Sequence, residues 1–235
     1  MSLPFFYKED LITSGIDVLL DEDTSKHIVQ VLRMQNGEQL QLTNGRGDLF
    51  TCEITDNNRK RCGTRILQTT NHKPQTSNIT IAISLVKNNS RFEWFLEKAT
   101  ELGVTEIIPL VCTRTEKTAF KFERMKSILV SAMLQSRQCY LPVLHEPARF
   151  EQVIASSGHQ QKFIAHCIEA EKRNLPEMIN ESLFSKIILI GPEGDFTSTE
   201  VDEATRNHFI AVSLGETRLR TETAGIAAAC LLCLV

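Results

Sequence analysis

Two stretches of the chain carry residue types from which a ligand site can be built: "LIGPEGDFTSTE", Leu189 to Glu200, and "VSLGETRLRTETAGIAAA", Val212 to Ala229. Each reads as a buried strand, a glycine loop and a helix. In a wound parallel sheet, loops at the carboxyl ends of strands converge on one crevice, so these two can face a single ligand. Gly191, Gly194 and Gly215 let backbone groups approach it closely. The second loop adds Arg218, Arg220, Thr221, Glu222 and Thr223. Neither loop is a standard nucleotide cradle. No Lys-Ser/Thr follows Gly194 as a phosphate loop requires, and no G-x-G-x-x-G follows the first strand of a unit. Taken alone, "GPEG" reads equally well as a rigid tight turn.

The elements that must position these loops follow from periodicity. Residues 1–70 read as a small β-rich domain: Leu40 and Leu42 alternate before "NGRG", and Phe50, Cys52 and Ile54 alternate after it. Asn44-Gly45 is a hairpin signal, since both residues tolerate positive φ. A short helix carrying His27, Ile28, Val31 and Leu32 precedes it, and a strand over Gly63–Leu67 follows "RKR". Residues 71–78 are polar and aperiodic and read as a linker. From 79 to 235, strands ("ITIAISLV", "TEIIPLV", "KFIAHC", "KIILI", "FIAVSL") alternate with helices, the pattern of a parallel sheet covered on both faces. Ser90 and Glu93 suggest a capping box opening "SRFEWFLEKATELG", Gly103 a stop, and Thr197 with Glu200 a second box. Helical spacing assigns Trp94 and its neighbouring phenylalanines to core packing.

Composition excludes several classes. The chain has 235 residues, 42% hydrophobic and 23% charged, with a net charge of -3, an ordinary globular profile that predicts no partner by itself. "MSLPFFYKEDLITSG" lacks the basic start and long apolar core of a signal peptide. The uncharged run Ala224–Val235 falls well short of the roughly 20 residues of a membrane span, so no membrane association is expected. Seven scattered cysteines favour reduced thiols and a cytoplasmic location. The lone C-x-x-C, Cys230 and Cys233, reads as buried packing, and the histidines show no metal spacing, so no metal is expected.

Four stretches, "KNNSRFEWFLEKATELGVTEIIPL", "LQSRQ", "LIGPEGDFTSTE" and "VSLGETRLRTETAGIAAA", resemble the RsmE-type methyltransferases of the SPOUT superfamily. The resemblance covers nearly the whole chain. It implies an α/β fold: a C-terminal SPOUT-type trefoil-knotted α/β domain preceded by a small PUA-like β-barrel that binds RNA, acting as a homodimer. It implies methylation of N3 of a uridine in 16S ribosomal RNA, within the small ribosomal subunit, with S-adenosyl-L-methionine as cofactor. The cofactor residues implied are His166, with the turn it shares with Cys167; Leu189, Gly191, Pro192, Glu193 and Gly194; and Ser213, Leu214, Gly215, Leu219, Arg220, Thr223 and Ala224. Two positions depart from the pattern. Asp195 stands where the family writes glycine, a replacement that aspartate's tolerance of left-handed backbone permits. The first arginine of the second loop, Arg218, is displaced by one position.

Methyl transfer to N3 leaves negative charge on the carbonyl oxygens of the uracil, which a fixed arginine would stabilise. Arg220 and then Arg137 of "LQSRQ" are the candidates; either could instead pair with a carboxylate such as Glu222. Glu222 and Glu193 could act as base, orient an arginine or cap a helix. Candidate RNA contacts are Arg33, the cluster Arg59, Lys60 and Arg61, and the group Arg114, Lys117, Lys121, Arg124 and Lys126, which outnumbers Glu116 and Glu123. The alternatives are a non-catalytic ribosome-assembly factor that binds RNA, or a SPOUT enzyme acting on ribose 2'-O or another base.

Overall fold

The computed structural model of the protein describes residues 2–11, 17–72, 77–169 and 172–234. The chain forms two compact units, one of Met1–Pro74 with Met133–Leu141 and one of Gln75–Ala132 with Pro142–Val235.

The first unit contains β1 (Phe5–Tyr7), β2 (Asp17–Leu19), α1 (Glu22–Lys26) running into a π-helical turn (His27–Val31), β3 (Gln39–Thr43), β4 (Asp48–Asp56) and β5 (Gly63–Asn71). They form one sheet in the order β1-β3-β4-β5-β2, with β1 parallel to β3 and the other pairs antiparallel. Leu40, Leu42, Phe50, Cys52 and Ile54 point inward as their alternation predicts, onto Ile28 and Val18. The β3–β4 hairpin forms, but positive φ falls on Gly45 (73°) and Gly47 (98°) and not on Asn44. Asn44 acts through its side chain, accepting from the Arg46 amide (2.9 Å) and donating to Asp48 (2.8 Å).

Two boundaries differ from the sequence reading. β5 extends to Asn71 at the start of the expected linker, of which residues 73–76 lie outside the described residues. Met133–Leu141, expected in the second domain, belongs to the first unit. There the Gly47 amide donates to the Cys139 carbonyl (2.9 Å) and the Leu141 amide to the Gly45 carbonyl (2.9 Å). Tyr140 lies so close that a Cβ on Gly47 would overlap its hydroxyl.

The second unit follows as β6 (Asn78–Ser84), α2 (Asn89–Leu102), β7 (Glu106–Val111), α3 (Phe122–Gln135, its last residues counted with the first unit), β8 (Val143–Leu144), β9 (Ala148–Arg149), α4 (Phe150–Ser156), β10 (Gln161–Ala165), β11 (Arg173–Asn174), α5 (Leu175–Met178), β12 (Ser185–Ile190), α6 (Ser198–Arg206), β13 (Ile210–Ser213) and α7 (Thr221–Cys233). The strand order is β11-β13-β10-β12-β6-β7-β8, with β9 also on β7, and every pair is parallel. The central strands are buried on both faces, hence their continuous apolar runs. One cluster packs Phe150, Val153, Ile154, Phe196 and Phe209 against Ala82, Ile164, Ile187 and Leu189. Elsewhere α7 packs against α2 and β6 at Gly225, where a Cβ would stand 2.7 Å from Phe95 and 2.8 Å from Ile83.

Local signals at helix ends mostly act as read. Gly103 closes α2 at φ 90°, and Thr197 and Glu200 form a reciprocal box opening α6. Ser90 is not the cap of α2; Asn88 is, its side chain accepting from the Ser90 amide (3.0 Å). Trp94, expected in the core, is 46% exposed, while Phe92 and Phe95 are buried. Cys230 and Cys233 are half-buried free thiols. Among the described residues no helix is long and apolar enough to cross a membrane, and no cluster of His, Cys, Asp and Glu is arranged to hold a metal ion.

Candidate active site

At the carboxyl ends of β10, β12 and β13 the chain leaves the sheet in three loops, and between them lies a cleft of two adjoining lobes, about 320 Å³ and 340 Å³. Ala165, Cys167, Arg218, Leu219 and Ala224 line both lobes. The first lobe adds Gly191, Pro192, Glu193, Asp195 and Arg220; the second adds His166, Lys172, Ser213, Leu214 and Gly215.

Each wall is held by identifiable bonds. The Thr221 hydroxyl donates to the Gly191 carbonyl (2.9 Å, buried), tying the start of α7 to the loop after β12. Asp195, left-handed at φ 63°, accepts from the amides of Phe196 (2.9 Å) and Cys167 (2.8 Å). Glu193 accepts from the Lys87 amide (3.0 Å) in the loop after β6. Ser213 accepts from the Gly215 amide (3.2 Å) and donates to its carbonyl (2.8 Å), shaping a glycine at φ 140° with open space beside it. Glu200, buried at the start of α6, accepts from the amides of Thr113 (2.8 Å) and Thr197 (2.7 Å) and from the Thr197 hydroxyl (2.9 Å).

Within the second lobe His166 is 7% exposed, and by hydrogen-bond geometry neither ring nitrogen has a partner among the described residues, though the Ile168 backbone lies close enough to act on the ring. Burial, with Lys172 nearby, pushes its pKa below the ordinary imidazole value, against the opposing pulls of Asp195 and of the Ile168 backbone. The ring is therefore neutral near pH 7, with one donor and one acceptor to offer. Desolvated polar groups of this kind are costly unless a partner arrives. In the first lobe Arg220 is exposed, and no hydrogen bond or ion pair engages its side chain among the described residues.

Most expected cofactor residues meet at this cleft: His166, Gly191, Pro192, Glu193, Ser213, Leu214, Gly215, Leu219, Arg220 and Ala224 line it. Leu189 instead lies in the core, Gly194 rests against the Arg114 side chain, and Thr223 is exposed on the first turn of α7. Glu222 does not line the cleft either; it is buried beside Arg91 of α2 (3.6 Å). Arg137 belongs to the first unit, where it reaches Gln41 (2.9 Å) and lies over the Phe5 ring (5.7 Å). The expected basic group is partly spent. Arg114 donates to the carbonyls of Gly194 (2.7 Å) and Phe196 (3.4 Å), and Arg124 forms a two-point pair with Glu93 (2.6 and 2.9 Å), which lowers the Glu93 pKa. Lys117 reaches the Lys87 carbonyl only at 3.4 Å. Arg33, Arg59, Lys60 and Arg61 are exposed. Sequence reasoning missed Lys172 and the cross-loop role of Asp195, which no local pattern signals.

The thiols report on the cleft. Cys167 is exposed, whereas burial pushes the Cys52 and Cys62 thiols up to about 11 and the Cys112 and Cys233 thiols up to about 12. Thiolate is the reactive form, so Cys167 is expected to be alkylated first, and a ligand in the cleft should slow it; mass mapping of partial labelling checks both.

Comparison with known proteins agrees with this architecture. The family described as RNA methyltransferase domain matches residues 72–233, and the RNA methyltransferase PUA domain matches residues 20–67. A probable rRNA-methyltransferase from Porphyromonas gingivalis superposes with a TM-score of 0.91 at 40% identity, covering 98% of this chain and 97% of that one. A ribosomal RNA small subunit methyltransferase E from Neisseria gonorrhoeae, bound to S-adenosyl methionine, superposes at 0.87 with 29% identity over 98% and 97%. The ribosomal RNA small subunit methyltransferase E of Rickettsia conorii is 26% identical over 94% of this chain and 91% of its own. With a parallel-sheet domain that builds the cleft from its loops and a small β domain before it, the chain belongs to the PUA-containing RNA methyltransferase family of the ribosomal RNA small subunit methyltransferases E.

Proposed function

We propose that the protein uses S-adenosyl-L-methionine to methylate N3 of a uridine in 16S ribosomal RNA, within the small ribosomal subunit. The observation that carries this reading is the two-lobed cleft, with buried His166 in one lobe and Arg220 in the other, the ring nitrogens and the guanidinium making no hydrogen bond of good geometry among the described residues. The residues present fit the cofactor. A neutral imidazole and glycine-bearing loops suit an uncharged nucleoside, and the absence of a phosphate cradle matches a cofactor that has no phosphate. Its solved relative from Neisseria gonorrhoeae was found bound to it.

When bound, the cofactor supplies an activated methyl group for in-line displacement. The chain's part is positioning: the tied loops hold the walls of the cleft, and His166 offers its ring nitrogens. Arg220 holds positive charge where the uracil oxygens gain negative charge as the N3 proton leaves. Glu222 lies 3.6 Å from Arg91 and has no part in orienting Arg220 in this reading. Because N3 is engaged in a base pair, the target must be unpaired or turned out of its stack. Arg33, Arg59, Lys60, Arg61 and Lys121, exposed and with no side-chain hydrogen bond or ion pair among the described residues, are the candidates for phosphate contact. The same reading includes a cytoplasmic homodimer and the superfamily's trefoil-knotted backbone, supported by the motif resemblance along the chain.

Incubation with unmodified small subunits and labelled cofactor, followed by mass mapping, tests the reaction. Label on the base of one uridine is expected. Label on ribose would overturn the N3 assignment, and failure to bind S-adenosylmethionine in calorimetry would overturn the enzyme itself.

A further inference from the structure

We propose that Asp195 is a positioning residue for cofactor binding: its carboxylate straps the loop after β12 to the loop after β10 and so holds the cleft in its binding shape. The proposal rests on the reading above that this cleft takes S-adenosylmethionine.

Three observations meet at this side chain. Its backbone is left-handed, φ 63°, a conformation that glycine adopts without penalty and other residues adopt only when something compensates. The turn itself is closed by the Asp195 amide donating to the Pro192 carbonyl (2.9 Å), a bond any residue could make. What only an acceptor side chain can add is the pair of bonds from the carboxylate. One oxygen takes the Phe196 amide of its own loop (2.9 Å) and the other the Cys167 amide of the neighbouring loop (2.8 Å). Asp195 and Cys167 both line the first lobe, and Cys167 is covalently next to His166 in the second. The bond therefore fixes the separation of the two loops at the peptide that follows His166. A site held in shape before its ligand arrives spends less of the binding energy on ordering loops.

The backbone argument makes the test clean. Glycine suits φ 63° better than aspartate, which offsets part of the two lost carboxylate bonds, so Asp195→Gly should still fold, melting somewhat below wild type. Its loss of cofactor affinity would then come from the missing strap. Asp195→Asn tolerates the same backbone and keeps one acceptor oxygen, which can take the Cys167 amide at the cost of the Phe196 bond. Calorimetric titration with S-adenosylmethionine and with its demethylated product should show both binding about tenfold more weakly to Asp195→Gly, the loss expected when a preorganised wall must be ordered on binding. Asp195→Asn should stay within about threefold of wild type. Hydrogen exchange on the free proteins should show the Cys167 amide exchanging faster in Asp195→Gly and near the wild-type rate in Asp195→Asn.

Wild-type affinity together with wild-type Cys167 exchange in Asp195→Gly would overturn the proposal. So would equal weakening in the two variants while Asp195→Asn keeps the wild-type Cys167 exchange rate, since that would assign the effect to charge and not to the strap. If the wild-type protein bound no S-adenosylmethionine, the proposed function would fall. The Cys167 exchange rates would then decide alone: faster exchange in Asp195→Gly supports the strap, and unchanged exchange overturns it.

Discussion

Replacing Arg220 with alanine is expected to lower methyl transfer by about 10²–10³-fold, the usual cost of losing one preorganised group that stabilises developing negative charge. The fold should not notice the change. Arg220 precedes the first residue of α7 with extended backbone (φ -70°, ψ 156°), and its side chain makes no cap bond there. No ion pair or hydrogen bond engages its guanidinium among the described residues, so truncation leaves no orphaned partner. The melting temperature should stay at the wild-type value, and cofactor affinity should fall much less than turnover. Lysine should rescue little, because an ammonium lacks the planar fork that spans two oxygens. Single-turnover kinetics beside calorimetry separates these effects. Wild-type turnover in Arg220→Ala would remove the residue from the reaction.

Glu200→Ala should have the largest effect on stability at the site. The carboxylate is 3% exposed and accepts the Thr113 amide, the Thr197 amide and the Thr197 hydroxyl, so one side chain caps α6 and pins the segment after β7 to it. Hydrogen bonds to a charged group, and the cap they complete, together suggest a loss of ~2–4 kcal/mol. For a chain of this size that corresponds to a drop in melting temperature of roughly 5–10 °C. Because α6 follows directly from the "GPEGDF" loop, cofactor affinity should weaken as well. Glu200→Gln keeps an acceptor and should recover part of both losses. An unchanged melting curve in Glu200→Ala would show that Thr113 and Thr197 find other partners at no cost.

The legible parts of the fold are those where local chemistry and final structure agree. The runs Ile79–Ile83 and Ile187–Ile190 read as strands because burial on both faces demands continuous apolar residues. Gly103 and the Thr197–Glu200 box could be read because caps satisfy their own backbone within a turn. The glycine loops could be placed on one cleft because carboxyl ends of parallel strands share an edge. What escaped was non-local. Trp94 has the spacing of a core residue on α2, but periodicity does not say how wide the covered stripe is. Adjacency in sequence leaves Glu222 free to pair with Arg220, yet its neighbour in space is Arg91 of another element. Arg114 read as a free cation, but it props the loop carbonyls of Gly194 and Phe196. Asp195 stood out as a departure from a motif, and its partner Cys167, far off in sequence, was invisible from there.

The return of Met133–Leu141 to the first unit bears on how such a protein can be inherited and cut. A domain closed by a segment encoded inside its neighbour is not a cassette. A fragment ending at Pro74 would leave the Gly45 carbonyl, the Gly47 amide and the His72 carbonyl without the Leu141, Cys139 and Tyr140 groups that satisfy them. Recombination at the apparent boundary near residue 74 would separate the first unit from its own last piece. The two units are thus obliged to travel through duplication, transfer and truncation as one gene segment, whatever their separate histories.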